Sequence, residues 1–221
     1  MPPRSPTDRP DDRGRIILAR PREAGALTHT LRGRRSTKTF QTDPIDLDEL
    51  SQLLGVTVSA GPCSSRPYAS AHGRYDVQVT VVTGAVQGLA PAVYRYLPDE
   101  HALLRCSEDG DHRARLADTT LDASWLTQCP VAVILSADLA AADRAFRDQG
   151  VGRGERFCWL EAGLITQNIY LWAAATGLGT VFIGGVDYTT THATTSRWLP
   201  PGHSVVGIPP LGRPDSPASA Q

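Results

Sequence analysis

Residues 160–185 read LEAGLITQNIYLWAAATGLGTVFIGG, and this stretch decides the fold. Apolar side chains recur at helical spacing over about residues 156–176, which predicts one long core helix. Gly177 follows it, and glycine is the residue that most often ends a helix. The segment GTVFIGG is apolar and β-branched, which predicts a short strand that ends in the glycine pair Gly184 and Gly185.

The sequence on the amino-terminal side of this helix indicates a β-sheet. VAVILSA, residues 131–137, is apolar at successive positions and starts after a proline. Such a run predicts a buried strand in the middle of a sheet. The other predicted strands are residues 75–83, 92–97, 101–106 and 203–214.

A further helix is predicted near the start of the domain. Asp43 and Pro44 offer a cap and a first-turn proline, leucines recur on one face within residues 47–54, and Gly55 offers an end. Helices and strands intermix without the regular alternation of a parallel sheet. The sequence therefore predicts an α+β fold.

The two ends of the chain differ in composition from the middle. Residues 1–20 and 215–221 are rich in Pro, Ser, Asp and Ala, which is typical of disordered segments. Of the 221 residues, 41% are apolar, enough for one sizeable core. We therefore expect a disordered leader, a single domain over residues 21–214 and a disordered tail.

Composition excludes several classes of protein. A net charge of -1 gives no field that would attract nucleic acid or an anionic membrane. No apolar run is long enough to cross a bilayer or to act as a signal peptide. The 4 cysteines are widely spaced and lack CxxC pairs, which favours a reduced cytoplasmic protein without a metal site. Lys38, the sole lysine, is preceded by Ser-Thr and not by glycine, which excludes a P-loop.

Residues 34–40, RRSTKTF, concentrate cations and hydroxyl groups in one short segment before the predicted helix. A phosphate monoester suits this set, because Arg and Lys donate charge-assisted hydrogen bonds and hydroxyls fill the remaining lone pairs. A solvated basic loop is the alternative interpretation of the same residues.

The R-x-S-x-K-x-F pattern of this segment resembles the FMN anchor of the nitroreductase superfamily. In that family the first arginine, the serine and the lysine contact the flavin, whereas the phenylalanine packs. The resemblance therefore implies that Arg34, Ser36 and Lys38 hold the cofactor, with Arg35 beside them.

A second segment, RPYASAH at residues 66–72, resembles a loop of the SagB-type azoline dehydrogenases within the same superfamily. In those enzymes the loop lies on the flavin ring. The resemblance implies ring contacts from Arg66, Pro67, Ala69 and Ser70.

Residues 160–185 are similar to the long helix, strand and glycine turn of the same family. Two glycines let the backbone approach a flat ring, where an N–H group can donate to flavin N5. The resemblance places Gly184 and Gly185 there, and the closing Gly-Arg-Pro places Arg213 at the phosphate. A Rossmann interpretation of Gly177-Leu178-Gly179 fails, because these glycines end a helix instead of opening one.

The resemblance implies a central mixed or antiparallel sheet flanked by helices, in an intertwined homodimer with FMN at the interface. SagB-type enzymes oxidise azolines in peptides and usually supply a Lys-Tyr pair as base. The corresponding position here falls near Gln149-Gly150, so the base is unassigned. Glu155, Asp187 and Tyr188 are candidates, but a structural role is the better explanation for each of them.

Three functions are compatible with these residues. The first is an FMN-dependent dehydrogenase or oxidase of a natural-product or peptide intermediate, forming an azole, C=C or C=N bond by hydride transfer to flavin N5. The second is an NAD(P)H-dependent nitro or quinone reductase. The third is a non-catalytic flavin-binding scaffold in a modification complex, which the missing Lys-Tyr pair suggests.

Overall fold

The computed structural model describes residues 25–215, in which helices and strands intermix. The α-helices of this range are α1 (Gly25–Gly33), α2 (Leu47–Thr57), α3 (Arg113–Ala117), α4 (Leu139–Ala145), α5 (Arg153–Thr176) and α6 (Tyr188–Thr195). The strands are β1 (Ile45–Asp46), β2 (Gln78–Thr83), β3 (Val86–Gln87), β4 (Ala92–Leu97), β5 (Ala102–Arg105), β6 (Val131–Ala137), β7 (Ser204–Gly207) and β8 (Pro210–Leu211). The predicted leader, residues 1–20, and residues 216–221 of the predicted tail lie outside the described range. Helix α1 belongs to one compact unit, and the elements from Arg34 onward form a second.

The main sheet of the second unit is antiparallel, in the order β5-β4-β2-β6-β7, with β8 also beside β6. Strand β6 is buried along its whole length, which confirms the predicted central strand. Strands β4 and β5 form a hairpin, with Leu97 opposite Ala102. A short parallel pair, β1 with β3, lies apart from this sheet.

The two faces of the sheet pack against different helices. Side chains alternate along a strand, so neighbours on β2 enter different cores. Val81 belongs to a core shared with Ile165 of α5, and Val82 belongs to a core shared with Leu116 of α3. The sheet is therefore flanked by helices, as the α+β prediction requires.

Helix α5 is the longest element of the described range and confirms the predicted core helix, although it begins at Arg153. It ends where the sequence predicts, because Gly177 adopts a left-handed φ of 76°. Its Cys158, Ile165 and Ile169 are buried against the sheet. Because α5 is packed in this way, it fixes the position of the residues that its polar side chains contact.

Helix α2 begins at Leu47, and the predicted start at Asp43-Pro44 is wrong. The Asp46 carboxylate accepts from the Glu49 N–H at 2.7 Å, and the Glu49 carboxylate accepts from the Asp46 N–H at 3.1 Å. This reciprocal cap satisfies N–H groups that would otherwise lack partners. The predicted end at Gly55 is also wrong, because Gly55 has no left-handed φ and the helix continues to Thr57.

The segment after α5 is not the regular strand that the sequence predicts. Residues 179–185 instead make single bridges to separate parts of the chain: Thr180 pairs with Ser36, and Ile183 pairs with Ile208. One extended segment thus joins the residues near position 36 to the carboxyl-terminal strands.

Candidate functional site

The RRSTKTF segment lies between two distant parts of the sequence. The Thr37 N–H donates to the Thr180 carbonyl at 2.9 Å, and Phe40 pairs with Pro214. Phe40 itself is buried, which agrees with its predicted packing role. Backbone pairing with both of these parts therefore fixes the RRSTKTF segment within the fold.

Tyr170 on α5 organises this segment, and sequence reasoning missed it. Its hydroxyl lies 3.1 Å from Ser36 Oγ and accepts from the Phe182 N–H at 3.0 Å. The Arg34 guanidinium lies 5.0 Å from the centre of its ring, within the range of a cation–π contact. One side chain of the core helix thus contacts both the basic segment and the segment after α5.

A cavity of about 430 Å³ opens beside these residues. It is lined by Lys38, Leu121, Asp122, Trp125, Val181, Phe182, Ile183, Gly184 and Gly185, and we call it the Lys38 cavity. It brings together predicted site residues from two motifs that are far apart in the sequence. Within residues 25–215, Lys38 has no ion pair, and the N–H groups of Gly184 and Gly185 donate no hydrogen bond.

One wall of the Lys38 cavity was not predicted from the sequence. The Leu121 N–H donates to the Gly185 carbonyl at 3.0 Å, and Thr120 pairs with Val186. This pairing brings Asp122 and Trp125 to the cavity. No local pattern around Asp122 predicts it, because the contact joins segments far apart in the chain.

Residues 66–72, which we call the Arg66 loop, lie in a different environment from that of the RRSTKTF segment. Arg66 forms an ion pair with Asp99 at 3.1 Å, its side chain is only 9% exposed, and it lies over the Tyr75 ring at 5.4 Å. The Pro67 carbonyl accepts from the Asn168 amide of α5 at 2.9 Å. These described contacts hold the loop against the protein, and the described lining of the Lys38 cavity includes none of its residues.

Ser70, predicted as a ring contact, is hydrogen-bonded within the same loop, while the neighbouring Ala69 is exposed. The Tyr75 N–H donates to Ser70 Oγ at 2.8 Å, and the Ser70 hydroxyl is hydrogen-bonded to Glu161 of α5. Glu161 also accepts from the Val77 N–H at 2.9 Å and is buried. Burial raises the pKa of the Glu161 carboxyl, although these hydrogen bonds oppose the shift.

The raised pKa of Glu161 makes stability depend on pH. A carboxyl whose folded pKa exceeds its unfolded value stabilises the fold fully below the unfolded pKa, and this stabilisation is lost as the pH rises through the folded pKa. We therefore expect wild-type stability, relative to Glu161→Gln, to fall as the pH rises from below 4.5 to neutrality. Each unit of pKa shift corresponds to about 1.4 kcal/mol.

Urea unfolding of both proteins across this pH range measures the difference. The glutamine retains an oxygen that accepts from the Val77 N–H, so the comparison isolates the charge. Glu161→Ala, which removes the acceptor, should be less stable than Glu161→Gln at every pH. A gap between wild type and Glu161→Gln that stays constant with pH would contradict the assignment.

Arg213 lies close to the basic segment through its backbone. The Gln41 N–H donates to the Arg213 carbonyl at 2.9 Å, and the Asp215 N–H donates to the Thr39 carbonyl at 3.1 Å. The guanidinium, however, pairs with Glu49 at 2.7 Å. A ligand phosphate would therefore compete with Glu49 for this cation.

The acid and base candidates from the sequence have structural roles or lie at the surface. Glu155 accepts from the Trp159 indole at 3.3 Å, Asp187 caps α6 by accepting from the Thr190 N–H at 2.8 Å, and Tyr188 is exposed. Asp122 is, within residues 25–215, the carboxylate that lines the Lys38 cavity.

The Lys38 cavity fits a flavin mononucleotide in its chemistry. Lys38, with the hydroxyl of Ser36 and the guanidinium of Arg34 nearby, provides donors for a phosphate. The N–H groups of Gly184 and Gly185, which donate no hydrogen bond within residues 25–215, suit the acceptor atoms of a flat ring, and apolar Val181 completes a wall. Neither a cluster of metal-binding side chains nor a helix suited to crossing a membrane occurs within residues 25–215.

Comparisons with known proteins agree with this geometry. The profile of the Nitroreductase family matches residues 31–213. A protein of Methanocaldococcus jannaschii named as a nitroreductase is 32% identical over 163 residues, which are 72% of this chain and 78% of the relative. A solved structure from Anabaena variabilis, also named as a nitroreductase, has a TM-score of 0.71 at 25% identity over 85% of this chain, which spans only 38% of that protein.

A third similarity is to the E. coli microcin synthetase McbBCD complex with truncated pro-MccB17 bound. It has a TM-score of 0.70 at 20% identity and covers 91% of this chain and 79% of the matched one. At that identity the similarity shows a common fold alone.

Proposed function

Because this chain belongs to the nitroreductase family, whose members are FMN-dependent oxidoreductases, we propose that it binds FMN in the Lys38 cavity and oxidises a biosynthetic intermediate. The intermediate is a small molecule or a modified peptide, and the protein acts as a cytoplasmic homodimer. One observation carries the proposal: Lys38 and the N–H groups of Gly184 and Gly185 line one cavity, and within residues 25–215 none of the three has an ion pair or donates a hydrogen bond.

The basic segment would hold the phosphate end of the cofactor. Lys38 and Arg34 supply positive charge, and Ser36 supplies a hydroxyl that Tyr170 positions. Charge-assisted hydrogen bonds of this kind are about twice as strong as neutral ones. Arg213 adds a further cation when it leaves Glu49.

The glycine pair would receive the ring end of FMN. Bound FMN supplies a two-electron acceptor that takes hydride at N5. The N–H groups of Gly184 and Gly185 would donate to the edge of the ring, and Trp125 and Phe182 would supply apolar walls. Asp122, which lines the same cavity, would accept the proton that the substrate loses together with the hydride.

The substrate class rests on two observations. Residues 66–72 resemble the SagB-type loop, and a chain of the same fold belongs to the E. coli microcin synthetase complex with truncated pro-MccB17 bound. Both favour oxidation of an intermediate over general reduction. The missing Lys-Tyr pair means that an azoline-type oxidation here would use another base, and Asp122 fills that role.

The exposed apolar surface of α5 supports a homodimer. Leu160 is 60% exposed on this helix, although its neighbours Cys158 and Ala162 are buried. A partner protomer packed on this helix would cover Leu160. We therefore expect Leu160→Glu to give monomers and to lose flavin at the same time, because the proposed site draws residues from both chains.

Light scattering after gel filtration, combined with the flavin absorbance of each peak, measures both losses. Leu104→Glu on β5 is the matched control, since Leu104 is also an exposed leucine, at 49%. It should leave mass and flavin content unchanged. A Leu160→Glu monomer that keeps its full flavin content would contradict the proposal that the flavin site draws residues from both chains.

An absorbance spectrum of the purified protein is the first test of the cofactor. Oxidised flavin bands, with FMN identified by mass after heat release, would support the proposal. A colourless protein that also fails to bind added FMN would refute it. In that case a non-catalytic scaffolding role in a modification complex would become the leading candidate.

A second candidate function is NAD(P)H-dependent reduction of nitro compounds or quinones. The relative from Methanocaldococcus jannaschii favours it, since that protein is named as a nitroreductase. Anaerobic NADH or NADPH distinguishes the two: rapid bleaching, with turnover on nitrofurazone or menadione, indicates a reductase. Slow bleaching by both nucleotides indicates a dehydrogenase that takes hydride from its own substrate.

A further inference from the structure

A second cavity, of about 310 Å³, lies between α2 and the β4–β5 hairpin. Its walls are Leu47, Leu50, Leu54, Leu89 and Leu103, its polar end is Ser51, Tyr96 and His101, and we call it the leucine cavity. The described linings of this cavity and of the Lys38 cavity have no residue in common. It is therefore a separate feature of the fold.

The polar end of the leucine cavity is a chain of hydrogen bonds. Ser51 Oγ lies 3.0 Å from His101 Nε2, and the Tyr96 hydroxyl lies 2.6 Å from His101 Nδ1. Tyr96 is in turn hydrogen-bonded to Ser59, whose hydroxyl donates to the Pro98 carbonyl at 3.2 Å. Burial raises the pKa of Tyr96, so this phenol keeps its proton.

The Ser51 hydroxyl can still accept a hydrogen bond from a ligand. Its oxygen has two lone pairs, and its contact with His101 Nε2 uses at most one of them.

His101 occupies its position with two locally unfavourable features. Its φ is 47°, a left-handed value that residues with a Cβ seldom adopt. A Cβ on Gly55 would lie 3.2 Å from His101 Cε1, so the helix carries a glycine where the imidazole packs. A glycine inside a helix is destabilising by roughly 0.5–1 kcal/mol relative to alanine. The turn and the close packing against Gly55 thus set the position of the imidazole in the cavity wall.

We propose that the leucine cavity is a second ligand site, which takes a neutral aliphatic alcohol. The leucine walls bind the hydrocarbon, and the ligand hydroxyl donates to Ser51 Oγ. A cavity of 310 Å³ holds roughly ten non-hydrogen atoms at about 30 Å³ each. Among the described residues that line the cavity, none carries a permanent charge, so a neutral ligand fits better than an ionised one.

The probe is 1-octanol, titrated into the purified protein and followed by saturation-transfer NMR and calorimetry. We expect saturable binding with a Kd of roughly 0.1–1 mM. Octanoate, with the same chain length and a charge, should bind at least about tenfold more weakly. No saturable binding of octanol, or equal binding of octanoate, would overturn the proposal.

Two adjacent leucines provide matched variants. Leu103→Trp fills the cavity and should weaken octanol binding at least about tenfold, whereas Leu104→Trp, whose side chain points to the other face of β5, should leave it within about twofold. Ser51→Ala removes the acceptor and should weaken binding about fivefold, and it decides the outcome if Leu103→Trp fails to fold. Unchanged binding in both Leu103→Trp and Ser51→Ala would overturn the site.

The site does not depend on the flavin. Octanol binding should be the same in wild type and in Lys38→Ala. A protein that contains normal flavin but does not bind octanol would contradict only this proposal. A protein that binds octanol but contains no flavin would contradict only the cofactor assignment.

Discussion

We expect Lys38→Ala to bind FMN about 1.5–3 kcal/mol more weakly than wild type, a loss of roughly 10- to 150-fold in affinity. Lys38 lines its cavity without an ion pair among the described residues, so a ligand phosphate would be its main partner. Arg34→Ala should give a loss of similar size. The flavin-to-protein ratio after gel filtration, and quenching of FMN fluorescence on binding, measure the effect.

Charge and position are separated by two controls. Lys38→Arg keeps the cation and should retain most of the affinity. Arg147→Ala removes a cation whose side chain is 81% exposed and which has only a distant ion pair with Asp148, so it should bind FMN like wild type. Full flavin content in both Lys38→Ala and Arg34→Ala would rule out the anchor.

The second large effect is expected at the start of the core helix. A Cβ on Gly154 would lie 2.1 Å from the Ala142 carbonyl carbon and 2.4 Å from the Asp143 nitrogen. These are backbone atoms of α4, which cannot rotate away. Gly154→Ala must therefore push α4 and α5 apart, and we expect a loss of about 3 kcal/mol or more in the free energy of unfolding. Urea unfolding followed by circular dichroism measures it.

Gly163 provides the control on the same helix. A Cβ there meets no atom of the described protomer within 4 Å. Gly163→Ala should therefore change the free energy of unfolding by no more than about 1 kcal/mol. Equal stability of the two variants would mean that α4 and α5 pack less closely than the structure shows.

Local patterns were sufficient to predict two of the main buried elements. The spacing of apolar residues predicted α5 and its end at Gly177, and the apolar run at residues 131–137 predicted β6. Both signals come from residues that are neighbours in sequence. The start of α2 was misplaced because Asp43 and Asp46 are equally good caps by type, and only Asp46 has a glutamate at the position that completes the reciprocal cap.

The candidate site was predictable only where a family motif marked it. The motifs predicted Lys38, Gly184 and Gly185 as one site, and the structure places them around one cavity, while their contact with FMN stays a prediction. Asp122 and Tyr170 were not predicted, because they reach this cavity and its basic segment through pairings between distant segments. A single sequence carries no signal for such pairings.

The pairing of Phe40 with Pro214 has a consequence for synthesis of the protein. The ribosome adds about 5–20 residues per second, so the segment around Lys38 waits on the order of ten seconds for the segment that pairs with Phe40. The β4–β5 hairpin and the strands beside it need only nearby residues and can form during that time. Loading of the proposed FMN would therefore follow completion of the chain, and a chain stalled before residue 214 would fold part of its sheet without acquiring colour.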